Sequence, residues 1–172
     1  MKFNNLQITS AATLNFDVAI TSPVCVFCGR YSDLALDLMQ ELIGDSAVQN
    51  DLDHIDDGRF VIHADVEMDD KNYGVCYIRN ADFMGDRRLA VNFETNSIRF
   101  SEDDTHEFVD QCSKDDHGPL FIRDYFDRLD ESEDITNILD WLSAFHRQVF
   151  ISVCANYPIR KMKHSKVQIF KI

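Results

Sequence analysis

Glycine and proline are scarce, 6 and 3 in 172 residues, which leaves no stretch for a long flexible linker or a low-complexity tail. Basic residues are also few: 17 Lys and Arg against 30 Asp and Glu give a formal net charge of −13. A field of that sign repels nucleic acid and anionic membrane surfaces unless the bases cluster. No apolar run approaches the roughly 20 residues that span a bilayer. The opening Met1-Lys2-Phe3-Asn4-Asn5 lacks the apolar core of a signal peptide. The expectation is a cytoplasmic protein with no membrane partner and no direct contact with nucleic acid.

What is there is a globular composition, 45% hydrophobic and 27% charged. A chain of this length buries roughly 70% of its unfolded surface, so one compact domain over 1–172 is expected. The bases do gather once: Arg160, Lys161, Lys163, Lys166 and Lys171 occupy a terminal stretch without an acid. A solvated strand edge explains them, since edge lysines deter sheet-to-sheet association. Five cysteines (Cys25, Cys28, Cys76, Cys112, Cys154) are an odd count, and several lie in apolar runs, as buried reduced thiols do. Cys25-Val26-Phe27-Cys28 is formally a C-x-x-C. It has no second pair to complete a zinc site, and in a strand its two sulfurs point to opposite faces.

Along the chain, Leu6–Ile8 and Leu14–Ile20 alternate apolar and polar residues, the mark of half-buried strands. Val24–Cys28 is continuously apolar, as in a strand buried on both faces. Gly29-Arg30-Tyr31-Ser32 turns the chain into a helix carrying Leu34, Ala35, Leu38, Met39, Leu42 and Ile43, with Gly44 as its stop. After an acidic loop at 45–58, Phe60–Val66 and Tyr73–Ile78 read as a hairpin around a five-residue turn, 68–72. Leu89–Phe93 and Ser97–Phe100 suggest a second hairpin. Ser101-Glu102-Asp103-Asp104 is a helix opener, a serine cap followed by acids in the first turn. Leu120–Ile122 is a short buried strand leading to Asp124; a helix follows over 134–145, then strands at 148–154 and 166–170. The fold class expected is α/β: a mixed sheet with parallel core strands, flanking helices and an antiparallel β-hairpin region.

An apolar strand, a turn opening on Gly29 and a helix form the frame of a phosphate-binding loop; a later strand ending on Asp124 frames the carboxylate that organises magnesium. In this order the chain resembles the ATP-binding head of ABC/SMC-type P-loop ATPases over nearly its whole length. Gly29 matches the first loop glycine, while Ala35 and Leu36 stand where the lysine and the magnesium-binding hydroxyl belong. Phe100–Asp104 resembles the signature motif, keeping its serine as Ser101 but with acids for its glycines. Leu120–Asp124 resembles the Walker B strand, with Tyr125 in the catalytic glutamate's position. Phe126-Asp127-Arg128-Leu129-Asp130 resembles the D-loop, and Cys154 stands for the switch histidine. The vestigial nucleotide-binding candidates are therefore Gly29, Arg30, Ser32, Ser101 and Asp124, with Leu129 and Asp130 as the D-loop pair.

The replacements oppose the chemistry. The lysine aimed at the phosphates is gone, Tyr31, Ser32 and Leu34 replace flexible loop positions, and Asp33 adds a negative charge. The resemblance thus implies a catalytically silent head, with ATP and magnesium binding weak or lost and no catalytic or metal-ligating residue assigned. Such a head would serve as a scaffold or regulatory module, pairing with a protein partner or a second copy. Two other readings come from the residues alone. Asp124, Asp127, Asp130 and Glu131 could share a divalent metal in a small-molecule enzyme, although a solvated helix face explains them as simply. The acidic runs at 45–70 and 101–116 could dock a basic protein.

Overall fold

Strict alternation would put Phe3 and Leu6 on opposite faces of a strand, since they are three residues apart, yet both are fully buried. The computed structural model, which describes residues 2–10, 15–42, 59–68, 70–80, 97–99, 118–123, 125–129 and 135–172, shows why. In strand β1 (Lys2–Ser10) Phe3 pairs with Val66 and Asn5 with Asp65, so Asn4 is an extra residue. This bulge resets the parity and returns Phe3 to the face of Leu6 and Ile8. The displaced Asn4 carbonyl is not lost, because it accepts the Ile20 N–H at 2.9 Å.

The chain divides into two compact units, Met1–Ile20 with Asp37–Glu94 and Thr21–Leu36 with Thr95–Ile172. In the first, the described residues form an antiparallel sheet ordered β2-β1-β4-β5, with β2 at Asn15–Ala19, β4 at Arg59–Met68 and β5 at Lys71–Asn80. Opposite Phe3, Leu6 and Ile8 stand Val66, Ala64 and Ile62, all buried, while His63 and Asp65 are exposed. The β4–β5 hairpin is as expected except at its turn. Met68 pairs with Lys71, so the connection has two residues rather than five, and Asp70 takes φ 59°. A short polar side chain tolerates that left-handed conformation better than most.

The second unit contains a parallel sheet ordered β6-β7-β8-β3-β9 among the described residues, with β3 at Val24–Cys28, β6 at Ser97–Arg99, β7 at Leu120–Arg123, β8 at Val149–Val153 and β9 at Val167–Lys171. The mixed α/β class is thus seen as a parallel sheet and an antiparallel sheet. Ser97–Arg99, expected in a hairpin, instead pairs in parallel with β7; the expected partner strand at 89–93 and the helix opener at 101–104 lie outside the described residues. Every residue of β3, β7 and β8 is buried, which is what continuous apolar runs demand of parallel strands covered on both faces.

One face of this sheet, Val24, Val26, Cys28, Leu120, Ile122, Val149, Ile151 and Val153, packs on helices α2 (Tyr125–Arg128) and α3 (Ile135–Ser143). Helix α3 meets it through Ile135, Leu139 and Leu142, a stripe at positions i, i+4 and i+7, with Met162 of the 3-10 turn Ile159–Met162 beside them. Trp141 is a packing residue, set edge-on to Phe145 with ring centres 4.8 Å apart. A row of rings crosses four strands elsewhere in the sheet: Phe121, Phe150, Phe27 and Phe170 lie with successive centres at 5.4, 6.4 and 5.1 Å. Among the described residues no helix is long and apolar enough to cross a membrane.

Candidate functional site

Chain order and sheet order together mark one place in the second unit. From β3 the chain proceeds to β6, beyond β8 and β7; from β8 it proceeds to β9, on the far side of β3. The paths leaving these two adjacent strands diverge, and in open parallel sheets ligands bind at the carboxyl ends of such strands. Gly29, Arg30, Ser32, Asp33, Ser152, Cys154 and Asp127 all lie there.

The β3 end is tied down on both sides. Gly29 donates its N–H to the Val153 carbonyl at 3.2 Å, and the Cys28 carbonyl accepts the Ile172 N–H at 3.0 Å. Gly29 adopts φ 148°, and a β-carbon there would stand 1.6 Å from the Ile172 carbonyl oxygen. Glycine is required twice over, by conformation and by this close approach. The chain then enters α1 (Ser32–Leu42) after only Gly29-Arg30-Tyr31.

That short turn decides what the loop can do. A phosphate cradle spreads four residues between its two glycines and places a lysine next. Here the chain is already helical from Ser32, and Ala35 and Leu36, which the resemblance sets against the lysine and the hydroxyl, are fully buried in that helix. The expectation kept Ser32 in the turn, whereas in the structure the helix begins with it. Ser32 caps the turn instead of presenting its hydroxyl: Oγ lies 3.0 Å from both the Gly29 and Val153 carbonyls, and its N–H donates to Gly29 at 3.4 Å. Arg30 is exposed and stands over the Tyr31 ring, 5.7 Å from its centre.

The positive end of α1 has its own anion. Asp33 lies in the first turn, and its carboxylate accepts a hydrogen bond from Ser152 Oγ, one strand away on β8. Asp127, on α2, does the same for the end of β8. Both its oxygens lie 3.0 Å from the Cys154 N–H, the first backbone donor beyond the strand. Burial and the neighbouring Asp127 carboxylate hold the Cys154 thiol above its ordinary pKa. Cys28 is raised too, by burial first and then by Cys154, with Lys171 lowering it and Asp127 adding the least. Tyr157 is pushed up to about 12 by burial, with Asp127 and Cys154 adding to it.

Of the residues expected to form the site, Gly29, Arg30 and Ser32 are brought together at the β3–α1 turn. Leu129 sits after α2, half-buried against the α3 face of the core. Ser101, Asp124 and Asp130 lie outside the described residues, as does Glu131, so of the acidic quartet only Asp127 is described. Asp127 is engaged with Cys154, and among the described residues no group of three His, Cys, Asp or Glu is placed to hold a metal. The Asp33–Ser152 and Asp127–Cys154 contacts escape sequence reasoning because they join residues 119 and 27 positions apart. No spacing rule links them; only the placement of β8 between β3 and β7 does. No protein-family model, curated protein or solved structure matches this chain.

Proposed function

We propose that the chain is a degenerate ABC/SMC-like ATPase head that has kept the fold and lost the chemistry, and that it acts as a scaffold or regulatory module for a protein partner or a second copy. The observation that carries this reading is the self-filled end of β3. The groups that would receive a phosphate are already engaged: the Gly29 N–H by Val153, the Ser32 N–H by Gly29, and the mouth of α1 by the Asp33 carboxylate. A nucleotide would have to break these bonds and bring its negative charge beside Asp33. The parallel sheet order supports the likeness, since it leaves one strand, β8, between the strand of the glycine turn and the strand leading to Asp124.

Calorimetric titration with magnesium and ATP tests the reading. No heat of binding at millimolar nucleotide is the expected result, and sedimentation of the protein is the same with and without nucleotide. Micromolar binding would overturn the proposal, because it requires a working cradle. Restoring the lysine by Ala35→Lys rescues nothing, since position 35 is fully buried inside α1.

A further inference from the structure

Cys28 and Cys25 are close in sequence but bond in different places: Cys25 Sγ donates to the Ser22 carbonyl, whereas Cys28 Sγ lies 3.6 Å from the carbonyl of Cys154, 126 residues away. We propose that Cys28 and Cys154 are a matched thiol pair, a modification site that small-molecule disulfides convert into a bond between β3 and β8. The inference does not rest on the ATPase-head reading.

The geometry is that of neighbours on parallel strands. Cys28 pairs with Val153, so Cys154 is one residue beyond its partner. A strand spacing of about 4.8 Å and a rise of about 3.3 Å per residue put the two α-carbons roughly 6 Å apart. Disulfides bridge α-carbons roughly 4.4–6.8 Å apart. Both thiols lie near one carboxylate, Asp127, which raises the pKa of each and so slows thiolate formation. Strand alternation would turn Cys154 to the face opposite Cys28, but β8 ends at Val153, so position 154 is not held to that alternation.

Their unequal exposure sets the order of events. Cys154 is exposed and Cys28 is buried at the strand end. The Cys154 thiolate attacks a sulfur of an external disulfide RSSR, forming Cys154–S–S–R and releasing RS⁻, which takes up the proton the Cys154 thiol lost. Cys28, deprotonated in turn, attacks the Cys154 sulfur and expels the second RS⁻, which is likewise protonated. Two protein thiols are oxidised and one RSSR is reduced to two RSH. Cys25 cannot replace Cys28, being fully buried with its thiol directed at Ser22.

The test is exposure of the reduced, folded chain to oxidised glutathione, followed by intact-mass measurement and mapping of linked peptides. The expected product has lost two hydrogens and yields a Cys28–Cys154 linked peptide. In Cys28→Ala the reaction stops at a glutathione adduct on Cys154; in Cys154→Ala, Cys28 stays unmodified. A wild-type chain that accumulates the Cys154 adduct, stays unoxidised, or links either residue to another cysteine would overturn the proposal, whatever the variants do.

Discussion

Gly29 has no room for a side chain. Its φ of 148° is a conformation that residues with a β-carbon rarely adopt, and the Ile172 carbonyl occupies the space a methyl would need. Gly29→Ala therefore strains the turn and pushes β9 away from β3. The expected loss is about 2–3 kcal/mol, a fall in Tm of roughly 5–10 °C. An unchanged Tm in a thermal melt would refute the close approach. Asp127 makes a different kind of prediction. Its negative charge raises both the Cys28 and Cys154 pKa values, so Asp127→Asn lowers them. At a fixed mildly alkaline pH more thiolate is present and alkylation of Cys154 by iodoacetamide speeds up severalfold. Of the other groups that act on Cys28, Cys154 raises its pKa and Lys171 lowers it, and Asp127→Asn removes neither. Equal rates in the two proteins would mean that the carboxylate does not reach the thiol.

Between strands, the aromatic row is the part of the core most sensitive to one change. Phe150 is fully buried and touches two rings, Phe121 on β7 and Phe27 on β3. Phe150→Ala opens a cavity in the middle of the sheet and costs about 3–5 kcal/mol. The urea midpoint measures it; a loss under about 1 kcal/mol would show that the rings do not interlock. Such elements were legible one at a time. Val24–Cys28, Leu120–Ile122, Gln148–Cys154 and Lys166–Phe170 announce strands by their apolar runs, and Ile135, Leu139 and Leu142 announce a helix by their spacing. Their neighbours were not legible, because a run buried on both faces carries no alternation from which to read a register. The bulge at Asn4 hid Phe3 for the opposite reason: it breaks the alternation that a reader relies on. The glycine turn was readable as a turn. That Ser32 would start the helix and close the loop depended in part on the Val153 carbonyl of β8, which no local signal reports.

At the scale of the chain, the passage at Leu36–Asp37 from one compact unit to the other falls inside helix α1, so no change of composition marks it. The charge excess is similarly non-local: the acid-free stretch from Arg160 has an acidic neighbour only through folding, with His164 Nε2 3.0 Å from Asp140 Oδ1. Global unfolding then reports on groups that the fold keeps protonated. Burial raises Cys25 from 9.0 to about 12 and, among other causes, Tyr157 from 10.0 to about 12. Below pH 9 both are neutral folded and unfolded, and their contribution is fully present. Between pH 9 and 12 the unfolded chain releases protons that the folded chain retains, so stability falls as pH rises. For Cys25, which is fully buried, about three pH units correspond to a loss of roughly 4 kcal/mol. Denaturant midpoints measured from pH 8 to pH 11 should therefore decline steadily, and Cys25→Ala should flatten the decline relative to its own value at pH 8. A wild-type curve level through pH 11 would mean that the Cys25 thiol ionises as readily inside β3 as it does in water.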